Sequence, residues 1–106
     1  GVDLDAEGQL FASAADVIYE LDKLTGTATA VYTATADVLD LVVDDNGDMY
    51  VETVDGVITL VANDGTVSTF ATVDGQGKLA ISPDRFLVRM IPHGGSWDTT
   101  YEEWAI

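Results

Sequence analysis

The feature that most constrains this chain is Val38 to Thr72, VLDLVVDDNGDMYVETVDGVITLVANDGTVSTFAT, which reads as four short strands in succession. Strands are expected at Val38–Val43, Asp48–Thr53, Val57–Ala62 and Thr66–Thr72. Asp44-Asp45-Asn46-Gly47, Asp55-Gly56 and Asn63-Asp64-Gly65 separate them. Glycine after Asn or Asp marks a tight hairpin, because such turns need a positive φ that glycine takes without steric penalty. Four strands joined this way form an antiparallel meander.

The same pattern recurs on both sides. With a shift of about 39 residues, Gly8 falls on Gly47, Leu10 on Met49, Phe11 on Tyr50, Gly26 on Gly65 and Val31 on Phe70. A one-residue slip occurs at the turn between the second and third strands. In a third unit Leu79-Ala80-Ile81 matches Leu41-Val42-Val43, and Phe86-Leu87-Val88 is set on Met49-Tyr50-Val51. Pro83-Asp84 replaces the Asn-Gly turn. Alternation of period two, abundant Val, Thr, Ile and Tyr, and frequent glycine punctuation exclude a helical repeat.

A four-stranded unit at this period is the sequence mark of a β-propeller blade. The expected fold is all-β, with about two and three-quarter blades: residues 2–35, residues 36–73, and an incomplete third at 74–106 that lacks its outermost strand. Burial supports the assignment. Leu39, Leu41, Val42 and Val43 form a nearly continuous apolar run, as an inner strand covered on both faces requires. Thr66–Thr72 alternates, with Val67, Thr69 and Ala71 on one side and Ser68, Phe70 and Thr72 on the other, which suits an outer strand.

The Asp-x-x-Gly-x-Leu/Met-Phe/Tyr-Val/Ala core at Asp5–Ala12 and Asp44–Val51, with the Asp-Gly-Thr-Val tail at Asp64–Val67, resembles NHL-type blades. It is also similar to the streptogramin-lyase and gluconolactonase/regucalcin-like propellers. The resemblance implies the blade fold over nearly the whole chain. Function is left open by it, since such blades serve lyases, lactonases and binding scaffolds alike.

A closed propeller has four to eight blades, roughly 160 residues or more at this period. The sequence therefore predicts association, with itself or with the remainder of a larger chain, because bare blade edges and apolar faces must be covered. Two copies closing a six-bladed ring is one solution; a fragment of a longer propeller and a small open sandwich or barrel are the others.

The charge narrows the partners. Four Lys and Arg stand against nineteen Asp and Glu, a formal net charge of -15. Nucleic acid and anionic membrane surfaces are disfavoured, since both need clustered cations. No apolar run is long enough to enter a bilayer as a helix, and no basic-then-apolar leader is visible. The absence of cysteine removes disulfides and thiolate chemistry. A secreted or periplasmic bacterial protein is the expected setting.

Few residues invite a chemical role. Asp3, Asp5 and Glu7 begin like a Ca²⁺ loop, but the bidentate carboxylate needed eleven residues after the first ligand is replaced by Ala14. Only an opportunistic turn-bound Ca²⁺ is compatible. His93 is the single histidine. With Phe86–Ile91 before it and Gly94-Gly95-Ser96 after it, the segment resembles the oxyanion-hole strand of α/β-hydrolases. No Gly-x-Ser-x-Gly elbow and no second histidine accompany it, so Ser96 lacks a base.

Positions that differ inside the repeat are the remaining candidates for ligand binding. Ser13, Glu52 and Arg89 are assigned to one place on the second strand, and Asp40 and Lys78 to one place on the inner strand. Glu52 and Arg89 could instead simply pair across adjoining blades. Trp97, Tyr101 and Trp104 gather aromatic surface near the end, for an interface or for closing the last blade. The reading is a non-catalytic propeller segment acting in assembly or in ligand or protein binding. The alternative is a piece of a propeller lyase or lactonase, or of a propeller-bearing hydrolase.

Overall fold

The computed structural model describes residues 1–4, 8–92 and 99–106. These residues form three antiparallel sheets and no helix. The first sheet is a meander of β1 (Val2–Leu4), β2 (Leu10–Ala14), β3 (Val17–Leu21) and β4 (Ala28–Thr33). The second holds β5 (Val38–Val43), β6 (Met49–Thr53), β7 (Val57–Val61) and β8 (Val67–Thr72). The third has β9 (Lys78–Ile81), β10 (Phe86–Pro92) and β11 (Thr99–Ala105), with β10 in the middle. The architecture is that of successive propeller-type blades, and the ring is not closed.

Alternation along the central sheet explains the stacking. Leu41, Val43, Met49 and Val51 pack toward the first sheet around Ile18, with Phe11 and Tyr32 at the margin. The intervening Val42, Tyr50 and Ile58 pack the opposite way against Leu79 and Leu87 of the third sheet. Each blade thus has one face for the preceding sheet and one for the next. The inner strands β1, β5 and β9 lie side by side along one edge of the stack.

Turn geometry fixes the equivalence of the sheets. In the second, the amide of Gly47 donates to the carbonyl of Asp44 at 3.0 Å, with φ +82° at Gly47. In the third, Arg85 donates to Ser82 at 3.0 Å with φ +66°. Arg85 therefore holds the place of Gly47. Strand pairing agrees: Leu79 faces Arg89 as Leu41 faces Val51, and Lys78 faces Met90 as Asp40 faces Glu52.

Two expectations change as a result. The match of Leu79-Ala80-Ile81 to Leu41-Val42-Val43 and the shared place of Asp40 and Lys78 both agree with this register. Phe86-Leu87-Val88, however, sits one residue earlier than Met49-Tyr50-Val51, so Arg89 takes the place of Val51, and Met90 the place of Glu52. A slip of one residue moves a side chain to the other face of its sheet. The alternation expected in Thr66–Thr72 is also interrupted. Ile58 pairs with Ala71 and Thr59 with Thr69, which leaves Phe70 as the extra residue of a bulge. Phe70 and Ala71 consequently both pack on the core between the second and third sheets. Val31 occupies the corresponding bulge of β4.

Tyr50 lies at the heart of that core, with its ring edge-on to Phe70 at 5.1 Å. Burial, and then the carboxylates of Asp44 and Asp48, push its phenol above the ordinary value of 10.0, while Arg85 opposes them. The neutral phenol is thus favoured in the folded chain. Its contribution is fully present below pH 10 and is lost as the pH rises through the elevated ionisation. Urea titrations above pH 10 should show the wild-type chain losing stability more steeply than Tyr50→Phe.

Candidate functional site

Two polar constellations stand out, one on the inner strands and one between sheets. Along the inner strands runs an open groove of ≈ 470 Å³, lined by Asp3, Asp40, Asp44, Asp45 and Arg85 together with the backbone of β5 and β9. An inner strand pairs on one side only, so its outward amides need another acceptor. Carboxylates of the neighbouring blade supply it. Val43 donates its amide to Asp3 Oδ2 at 2.8 Å, and Leu79 donates to Asp40 Oδ2 at 2.8 Å. Asp40 Oδ1 also accepts the amide of Leu41 at 3.0 Å.

Asp44 shapes the mouth of the groove. Its Oδ1 accepts the amides of Asn46 and Asp48 at 2.8 and 3.1 Å, which closes the β5–β6 turn. Its Oδ2 faces Arg85 Nη2 at 3.4 Å. Arg85 holds a left-handed backbone conformation where the other two blades carry glycine, a placement that costs on the order of 1 kcal/mol. Its guanidinium reaches from the third blade to the second and also donates to the carbonyl of Ile106 at 3.5 Å.

The second constellation centres on Arg89. Its Nε donates to Glu52 Oε1 at 2.7 Å and its Nη2 to Glu52 Oε2 at 3.0 Å, a fork-to-fork pair with no exposed surface on either side chain. Nη1 donates to Glu102 Oε1 at 2.9 Å, and Nη2 also contacts the carbonyls of Asp74 and Gly75 at 2.8 and 2.9 Å. The amide of Gly77 donates to Glu52 Oε2 at 2.9 Å. Glu52 chiefly, then Glu102, hold the guanidinium above its ordinary ionisation range, against the opposing effect of burial. The group is a permanent cation whose chemistry here is to bind, not to transfer protons.

Local sequence makes this arrangement possible. Residues 74–77 connect the second and third sheets and wrap the guanidinium with backbone. A Cβ at Gly77 would stand 2.7 Å from Arg89 Nε and 2.8 Å from its Cγ. Only glycine allows the connection to pass so close. The change of register described above is what turns Arg89 toward Glu52: the two residues occupy different places in the repeat and face each other across the interface. The pair was legible from charge; its burial was not, because it depends on that one-residue slip.

The remaining candidates are scattered. Lys78 is exposed on the far face of the third sheet. Tyr101 is exposed on that same face, whereas Trp104 turns inward and meets Phe70 edge-on at 6.0 Å. The aromatic group is therefore divided between the two faces of one strand. Asp5, Glu7, His93 and Trp97 lie outside the described residues. Among the described residues no group of three or more His, Asp or Glu side chains could hold a metal ion.

No protein-family model matches the chain, and no curated protein does. Among solved structures it is similar to a chain of hydrazine synthase from Kuenenia stuttgartiensis, with a TM-score of 0.71 at 15% identity. The match covers 96% of this chain and 32% of that one, so the present chain spans about a third of its length. The likeness is one of fold.

The Arg89 cluster yields a quantitative expectation. Removing one member of a buried pair leaves an uncompensated charge, at a cost of about 3–5 kcal/mol, whereas replacing both with apolar groups is far milder. Urea denaturation should show Arg89→Ala losing stability in that range. The double replacement Arg89→Leu with Glu52→Leu should recover most of the loss. A double variant whose loss equals the sum of the losses of Arg89→Leu and Glu52→Leu taken singly would show that the pair is not coupled.

Proposed function

We propose that this chain is a non-catalytic β-propeller segment acting as an assembly module, with its inner-strand groove as the surface on which a ligand or protein segment would be held. The observation that carries the assembly reading is the contrast between equivalent places. Leu41 and Val43 are 1% and 9% exposed, whereas Val2 and Leu4, in the same places of the first sheet, are 66% and 51% exposed. On the opposite end Met90 and Tyr101 are 51% and 63% exposed where the second sheet has Glu52 and Ile58 at 0%. Residues of one design are buried in the middle and bare at the ends. Apolar surface of this kind marks a contact site.

The groove side is the candidate ligand surface because Asp40, Asp44, Asp45 and Arg85 place both signs of charge along it. Hydrophobic-dye binding and sedimentation velocity over a wide concentration range test the assembly reading. The chain should bind dye or self-associate, and Leu4→Lys and Tyr101→Lys should each diminish whichever is seen. A folded, monodisperse 11.2 kDa monomer that binds no dye would overturn it.

A further inference from the structure

The chain holds three Asp-Gly dipeptides, Asp55-Gly56, Asp64-Gly65 and Asp74-Gly75. Such a pair can react with itself. The glycine amide nitrogen attacks Cγ of the neutral aspartic acid, an N–Cγ bond forms, and the amide proton leaves with the carboxyl hydroxyl as water. Water then reopens the five-membered imide. Addition at Cγ restores aspartate. Addition at the former backbone carbonyl breaks its bond to nitrogen, so the chain now runs through the side chain as isoaspartate. The water consumed equals the water released, and no other reagent takes part. Glycine favours the attack because it has no Cβ to obstruct the approach.

The fold decides which pair is free to react. At two of them the nucleophile is engaged: Gly56 donates its amide to the carbonyl of Thr53 at 3.1 Å, and Gly65 to that of Ala62 at 2.9 Å. The side chains are engaged as well. Asp55 Oδ1 accepts from the Thr53 hydroxyl, and Asp64 Oδ1 accepts the amide of Thr66 at 2.9 Å. That amide holds the Asp64 carboxyl below its ordinary value of 3.8, away from the neutral acid that the attack requires. Asn46-Gly47, which would react by losing ammonia, is closed by the turn bond from Gly47 to Asp44. Asp74-Gly75 is different. Both residues are exposed in the connection between the second and third sheets. Among the described residues, neither the Gly75 amide nor the Asp74 carboxylate has a hydrogen-bond partner.

The peptide bond between these two residues is also the one that Arg89 touches. Nη2 donates to the Asp74 carbonyl at 2.8 Å and to the Gly75 carbonyl at 2.9 Å. As the Gly75 nitrogen gives up its proton, amide resonance carries negative charge onto the Asp74 carbonyl oxygen. A donor already aimed at that oxygen stabilises the charge as it develops. We propose that Asp74-Gly75 is a site of spontaneous isoaspartate formation, promoted by the Arg89 guanidinium and disruptive to the cluster that promotes it. Isoaspartate adds a methylene to the backbone at residue 74 and turns the former carbonyl into a free carboxylate. This happens in a connection that passes Arg89 so closely that a Cβ at Gly77 has no room. The lengthened path no longer wraps the guanidinium.

The full chain, aged warm at mildly acidic pH and analysed by electron-transfer fragmentation, should accumulate isoaspartate at residue 74 several-fold faster than at residue 55 or 64. Conversion should also outpace that in a free peptide of residues 70–79, where no guanidinium is held against the carbonyl. The urea midpoint of the chain should fall as residue 74 converts. Asp74→Glu, whose longer side chain cannot close the five-membered ring, should keep its midpoint under the same treatment. Isoaspartate arising first at residue 55 or 64 would overturn the proposal, as would conversion at residue 74 no faster than in the peptide. Conversion that leaves the midpoint unchanged would overturn the link to the Arg89 cluster.

Discussion

A sheet that is apolar on both faces must be covered on both, and every other property of this fold follows from how that is done. The second sheet is the one instance fully satisfied within the described residues. Leu41, Val43, Met49 and Val51 turn one way and Val42, Tyr50 and Ile58 the other, so the first and third sheets are held by alternate residues of the same strands. Burial at about 25 cal/mol per Å² of apolar surface supplies the attraction between sheets without specifying their order. Order comes from polar contacts placed along the inner strands and at the connection between the second and third sheets.

The Arg89 cluster does not add simply to that attraction. Taking a guanidinium and a carboxylate out of water costs several kcal/mol per ion, which only good geometry and further hydrogen bonds offset. Here Glu52, Glu102 and two backbone carbonyls accept from the guanidinium, and the Gly77 amide donates to the Glu52 carboxylate. The cluster joins β6, β10, β11 and the connection between sheets at one point. A sheet docked in another register would strand the cation, so the cluster selects one alignment of the third blade against the second.

Most of the architecture was legible in the sequence. Turns such as Asn46-Gly47 and Asp64-Gly65 announce themselves by the positive φ they require, and the strands of the central meander lie within one residue of their expected limits. What escaped is what period-two logic cannot carry across an irregularity. In the third sheet Arg85 performs the turn that glycine performs elsewhere, and with no glycine to anchor it the alignment slipped by one residue. Glu52 and Arg89 were then placed on the same face instead of on opposing ones. Bulges at Val31 and Phe70 were invisible for the same reason: an extra residue leaves no mark on composition. In the groove, the Asp3 and Asp40 carboxylates reach amides about forty positions away, a contact that no local pattern encodes.

Those two carboxylates have a geometric consequence. Neighbouring inner strands are joined not by a backbone ladder but through a side chain with a single methylene between Cα and carboxyl group. Their separation is therefore the reach of an aspartate plus one hydrogen bond. Because the inner strands meet along this edge, that short tether limits how far apart they can stand there. A glutamate in either place, one methylene longer, would let the inner edge spread and change the angle through which each blade is turned from the last.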